Sequence, residues 1–84
     1  MPYLDKAIRA SLDEGRKPTK AGEVNYLVTK IVDSFLMMKG VSYASINEAV
    51  GALECAKLEL YRRIASPYED SKARINGEVY VAKG

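Results

Sequence analysis

Apolar residues along this chain recur at threes and fours, a spacing that predicts helices rather than strands. Leu4, Ile8 and Leu12 stand four apart, the single narrow stripe of a short helix within residues 1–15. The polar, basic run Arg16-Lys17-Pro18-Thr19-Lys20 follows Gly15 and makes a linker over 16–21, because glycine and proline interrupt a helix. A helix so short, with so narrow a stripe, is unstable alone and must dock on something. Val24, Leu27, Val28, Ile31, Val32, Phe35 and Met38 give a second helix a broad apolar face over 22–39. Lys39 suits the negative end of its dipole, and Gly40 is the expected left-handed stop.

A third helix is predicted over 45–65. It opens on a capping box in which Ser45 accepts from the Glu48 amide and Glu48 reaches back to that of Ser45. Ile46, Val50, Leu53, Leu60 and Ile64 form its central stripe, and Ala49, Ala52, Cys55 and Ala56 lie beside it. Small side chains let another helix approach closely. Two packable flanks call for two neighbours, and a subunit interface supplies the second. The helix is expected to end or bend at Ala65-Ser66, because Pro67 cannot donate to the Arg63 carbonyl. Ser66 as N-cap, Pro67 at the first position and Glu69 at the third then start a short polar helix over 67–75. Asn76-Gly77 closes it, and an extended tail is expected over 78–84. The predicted class is all-α: one small domain with a short N-terminal helix, two long antiparallel helices and a short C-terminal helix, assembling as a homo-oligomer.

Composition sharpens this picture mainly by exclusion. Eighty-four residues with a single cysteine, Cys55, form a domain with a modest core and no intrachain disulfide. Helix packing and self-association are then the remaining means of stabilisation. Without a histidine, the chain lacks the commonest general base and the commonest zinc ligand. No metal-ligand spacing, Gly-rich phosphate loop or nucleophile–base pair stands out, so neither enzyme activity nor a cofactor is expected. A net charge of +2, with both signs interspersed, argues against duplex nucleic acid as a partner. No apolar run approaches a membrane span, and the start lacks a signal peptide's pattern, so a soluble cytoplasmic protein is expected.

The candidate chemistry is basic and aromatic. Lys57 falls within the apolar face of the third helix, with Glu54 and Tyr61 in reach. It reads as a satisfied pair at a helix interface or, functionally, as the charged floor of a polar pocket. Arg62 and Arg63 end that helix, where cations favour the dipole, but arginine forks also bind phosphate and stack on bases. Tyr61 and Tyr68 flank them, offering flat faces that suit base stacking. Glu69 and Asp70 beside Lys72 have ordinary duties at a helix start. Cys55, amid Ala and Leu, reads as a small core residue.

Ile46-Asn47-Glu48-Ala49, Leu53-Glu54-Cys55, Lys57-Leu58-Glu59, Tyr61-Arg62-Arg63, Pro67-Tyr68-Glu69-Asp70, Lys72 and Asn76-Gly77-Glu78-Val79-Tyr80 resemble a family of small phage and prophage proteins known as a domain of unknown function. Gly22-Glu23-Val24-Asn25-Tyr26 is similar to the start of that family's middle helix. The resemblance implies a phage or prophage origin, a small helical protein and no catalytic activity. The motif is too polar for a core alone, since it includes Asn25, Tyr26, Glu54, Lys57, Tyr61, Arg62, Arg63, Tyr68, Glu69, Lys72, Asn76 and Tyr80. Part of this set is therefore expected to be a binding site for a small anionic, nucleotide-like ligand. Analogy with small phage proteins suggests sequestration of a cyclic-nucleotide or cyclic ADP-ribose-type immune signal, without turnover, in the cytoplasm of an infected bacterium. The alternative is an interaction protein that inhibits a host defence or CRISPR complex.

Overall fold

The computed structural model describes residues 4–77, which are all-α. In chain order the elements are α1 (Lys6–Asp13), α2 (Ala21–Lys39), α3 (Tyr43–Leu60), a π-helical turn (Tyr61–Ala65) and α4 (Ser66–Asn76). The backbone divides into two compact units, Met1–Ala49 and Val50–Gly84. The boundary falls within α3, so the antiparallel packing expected of the two long helices is not part of either unit's own architecture. The expected extended tail over 78–84 lies outside the described residues.

In the first unit α1 packs on α2. Asp5 caps α1, its carboxylate accepting from the Ala7 amide at 2.7 Å. Leu12, at the C-terminal end of the predicted stripe, is only 3% exposed and is the most deeply covered apolar side chain. Tyr26 is buried too, and its hydroxyl donates to the Asp13 carboxylate at 2.9 Å, joining the end of α1 to the second turn of α2. Gly15 turns the chain with a φ of 109°, a conformation L-residues rarely adopt.

The linker is held by a buried carboxylate. Glu23, at the third position of α2, accepts from the Thr19 amide at 3.0 Å and pairs with the Arg16 guanidinium at 3.3 Å. Lys20, the N-cap, makes no side-chain capping bond, and Glu23 instead ties the preceding Thr19 and Arg16 to the first turn of the helix. Gly40 ends α2 at a φ of 83°, its amide donating to the Leu36 carbonyl.

The capping box of α3 lies three residues earlier than the sequence suggests. Ser42 Oγ accepts from the Ser45 amide at 3.1 Å, while Ser45 Oγ accepts from the Ser42 amide at 2.9 Å. Ser45 therefore occupies the position a Glu or Gln usually fills, and it is buried. Its hydroxyl also donates to the Gly40 carbonyl at 2.7 Å, fastening the α2–α3 turn. Glu48, free of the capping role, pairs with Lys39 at 3.8 Å.

In the second unit the helix does not end at Ala65-Ser66. Both residues keep right-handed helical dihedrals, and Ser66 makes no side-chain cap with Glu69. The chain instead widens into a π turn, in which the Ser66 amide donates to the Tyr61 carbonyl five residues back. Widening relieves the clash between the Pro67 ring and the carbonyl of the preceding turn, so the helix continues through a residue that normally stops it. Gly77 ends α4 at a φ of 93°.

A single run of helix cannot bury its own apolar stripe. Val50, Leu53, Leu60 and Ile64 are accordingly exposed, as is Ile46 at the start of the same stripe. Of the small residues beside them, Ala49 is buried, whereas Ala52, Cys55 and Ala56 are exposed. Cys55 is thus a surface thiol and not the small core residue expected of it.

Candidate functional site

The π turn carries the densest group of candidate side chains. Pro67 forces the wider turn, and Tyr61, Arg62 and Arg63 are its first three residues. Such turns inside α-helices are frequent at functional sites. Both arginines close on one carboxylate: Arg62 Nη2 lies 2.7 Å from Glu59 Oε2 and Arg63 Nε lies 3.1 Å from Glu59 Oε1. Each glutamate oxygen takes one guanidinium, which orients both forks on the same stretch of surface. The arginine side chains are 68% and 71% exposed. An ion pair this open to water contributes at most about 1 kcal/mol, so an incoming anion competes with Glu59 at little cost.

One turn further on, Lys72 Nζ stands 5.7 Å from the centre of the Tyr68 ring, a cation–π contact that holds the ring and ammonium together. Tyr61 and Tyr68 are both about half or more exposed, leaving their faces open for stacking. Lys57 does pair with Glu54, at 3.4 Å, as its spacing predicts. The pair is exposed rather than sunk in a packed interface, because the apolar face around it is itself uncovered.

The remaining sequence candidates are scattered. Glu69, Asp70 and Asn76 are exposed along α4, and Glu69 does not act in a capping box. Asn25 is exposed on α2, in the first unit. Tyr26 is not available to a ligand: it is buried, and Asp13 occupies its hydroxyl. Burial, then the hydrogen bond to Asp13, raise the Tyr26 phenol above its ordinary pKa. Tyr80 lies outside the described residues.

Two acids matter more than their sequence positions suggest. Glu59 organises the arginine pair, and its spacing of three and four residues before Arg62 and Arg63 is the signal that reveals it. Glu23 organises the linker. The hydrogen bond from the Thr19 amide, then that from the Arg16 side chain, lower its carboxyl below the ordinary range despite some opposing desolvation. A shallow open groove of about 460 Å³ between α1 and α2 is lined by Leu12, Asp13, Leu27, Lys30, Ile31 and Ser34. Among the described residues, no three acidic or thiol side chains gather to hold a metal ion. No helix among them is long and apolar enough to cross a membrane.

These features define a small all-helical protein with an arginine–tyrosine surface on a π turn and an uncovered apolar stripe leading to it. The chain belongs to a protein family described as a domain of unknown function (DUF6899), whose model matches residues 1–79. No curated protein and no solved structure matches the chain.

Proposed function

We propose that this protein is a non-catalytic binding module, a homo-oligomer that holds a small anionic, nucleotide-like ligand at the π-turn surface. The observation that carries this reading is the exposed Arg62–Arg63 pair, held among the described residues by Glu59 and flanked by the open rings of Tyr61 and Tyr68. Guanidinium forks bind phosphate oxygens bidentately, and tyrosine faces stack on bases. Lys72, already over the Tyr68 ring, adds a third cation one turn beyond that tyrosine. Lys57 and Asn76 extend the polar surface along the same run of helix, while Asn25 belongs to the first unit.

Binding without turnover suits a sponge. By analogy with small phage proteins, the ligand is a cyclic-nucleotide or cyclic ADP-ribose-type immune signal, removed from its effector in the cytoplasm of an infected bacterium. Calorimetric titration with cyclic dinucleotides and cyclic ADP-ribose isomers tests this directly. Arg62→Ala or Arg63→Ala, each combined with Tyr68→Ala, should weaken binding more than about tenfold while helix content is kept, since each lost charged hydrogen bond costs roughly 1.5–3 kcal/mol. Normal binding by these variants would move the site elsewhere.

The uncovered apolar stripe of α3 favours a second reading, in which the protein inhibits a host defence or CRISPR complex by protein–protein contact. Titration with every nucleotide probe giving no heat, together with specific capture of one host complex, would select it.

A further inference from the structure

The open stripe of α3 has an internal symmetry. Ile46, Val50, Leu53, Lys57, Leu60 and Ile64 are spaced 4, 3, 4, 3 and 4 residues apart, which is the a/d seam of a coiled coil. Its five apolar members are 42–63% exposed, and the Lys57 side chain is 61% exposed. Ile64 falls in the π turn and stays near the side of Leu60, because four residues almost complete that wider turn. The spacing also reads the same in reverse about Cys55, so a second copy running the opposite way meets every seam residue in register.

We infer that α3 pairs with α3 of a second copy as an antiparallel two-stranded coil centred on Cys55. This rests on the homo-oligomeric part of the proposed reading and goes beyond it by naming the interface. Ile46 then lies opposite Ile64, Val50 opposite Leu60, and Leu53 opposite Lys57. The direction follows from charge. A parallel pair in register sets Lys57 against Lys57, two ammonium groups in one core layer. The antiparallel pair sets Lys57 against Leu53 of the second copy, one residue from that copy's Glu54. Each chain already holds Glu54 and Lys57 together at 3.4 Å, so two lysines and two glutamates form a neutral cluster around the twofold axis.

A lone lysine at a core position fixes register and strand number at some cost in stability. The exposed Ala56 borders the seam, and a small residue there permits close approach. The exposed seam side chains amount to on the order of 500 Å² per chain, about 1,000 Å² for two, the least that a specific interface needs. Cys55 lies on the outer side of such a pair and remains a surface thiol.

Charge variants measured by analytical ultracentrifugation test the pairing. Wild type should sediment as a dimer at micromolar concentration. Glu54→Lys gathers four positive charges at the axis and Lys57→Glu four negative ones, so each alone should raise the dissociation constant at least about tenfold. Mixed in equal amounts, the two variants should dimerise again. Only a contact between copies can produce that rescue, and circular dichroism verifies that each variant remains helical.

Direction is read by disulfide trapping in a Cys55→Ser background. Ala56→Cys should trap a dimer on oxidation and Leu53→Cys should not. A monomeric wild type overturns the pairing. An oligomer indifferent to both charge variants leaves self-association standing and overturns the seam. Trapping through Leu53→Cys instead overturns the direction.

Discussion

Leu12→Ala is the most direct test of how the first unit is held. The substitution removes three carbons from the most covered apolar side chain between α1 and α2. At about 0.8 kcal/mol per buried methylene, the transfer contribution alone is about 2.4 kcal/mol. Buried Leu→Ala changes cost about 2–5 kcal/mol, the upper part of that range reflecting a cavity that cannot collapse or fill. Here the site borders the open groove lined by Leu27 and Ile31, so water enters and the loss stays near the lower end. A cost of about 2.5 kcal/mol raises the opening equilibrium of α1 roughly 60-fold. Eight residues of helix do not persist alone, so undocking and unwinding coincide. Amide hydrogen exchange resolved along the chain is the assay. Protection should fall sharply across Lys6–Asp13 and remain in α4, and binding at the proposed π-turn site should survive because that turn belongs to the second unit. Unchanged protection of α1 would refute the assignment of Leu12 as its anchor. Equal loss in both units would show that they open together.

Pro67→Ala should let the π turn revert to α geometry and stabilise the helix by about 1–3 kcal/mol, since proline costs about 3 kcal/mol in a helix interior. Chemical denaturation measures that gain, and titration should reveal weaker ligand binding as the arginines shift. Ser42→Ala removes the acceptor for the Ser45 amide and should cost about 0.5–2 kcal/mol, whereas Glu48→Ala should leave the cap intact. Denaturation midpoints of the two variants distinguish the cap at Ser42 from one at Ser45. Because the folded state lowers the Glu23 carboxyl, its contribution is present above the ordinary glutamate range and is lost as pH falls from that range through the lowered value. The raised Tyr26 phenol works in the opposite sense: its contribution is complete below about pH 10 and fades as pH rises beyond. Thermal melts across pH check both limits, and Glu23→Gln should flatten the acid limb.

Local chemistry along the chain was enough to determine the helices. Spacings of three and four set α1, α2 and α3, and the glycines at 15, 40 and 77 mark the turns because each sits at positive φ. The pairing of Lys57 with Glu54 was legible as well, since residues three apart on a helix are neighbours whatever surrounds them. What sequence could not decide was competition between equally good local partners. Ser42 and Ser45 both suit a helix start, and the tight turn from Gly40 selected Ser42 by burying Ser45 against the Gly40 carbonyl. Pro67 reads as a break, yet a π turn absorbs it, because one wider turn costs less than losing the helix altogether. Tyr26 has the composition of a ligand-stacking residue, and only the docking of α1 turned its hydroxyl to Asp13 and closed it from solvent. Burial depends on which faces meet, and a pattern along one chain specifies the faces but not their neighbours.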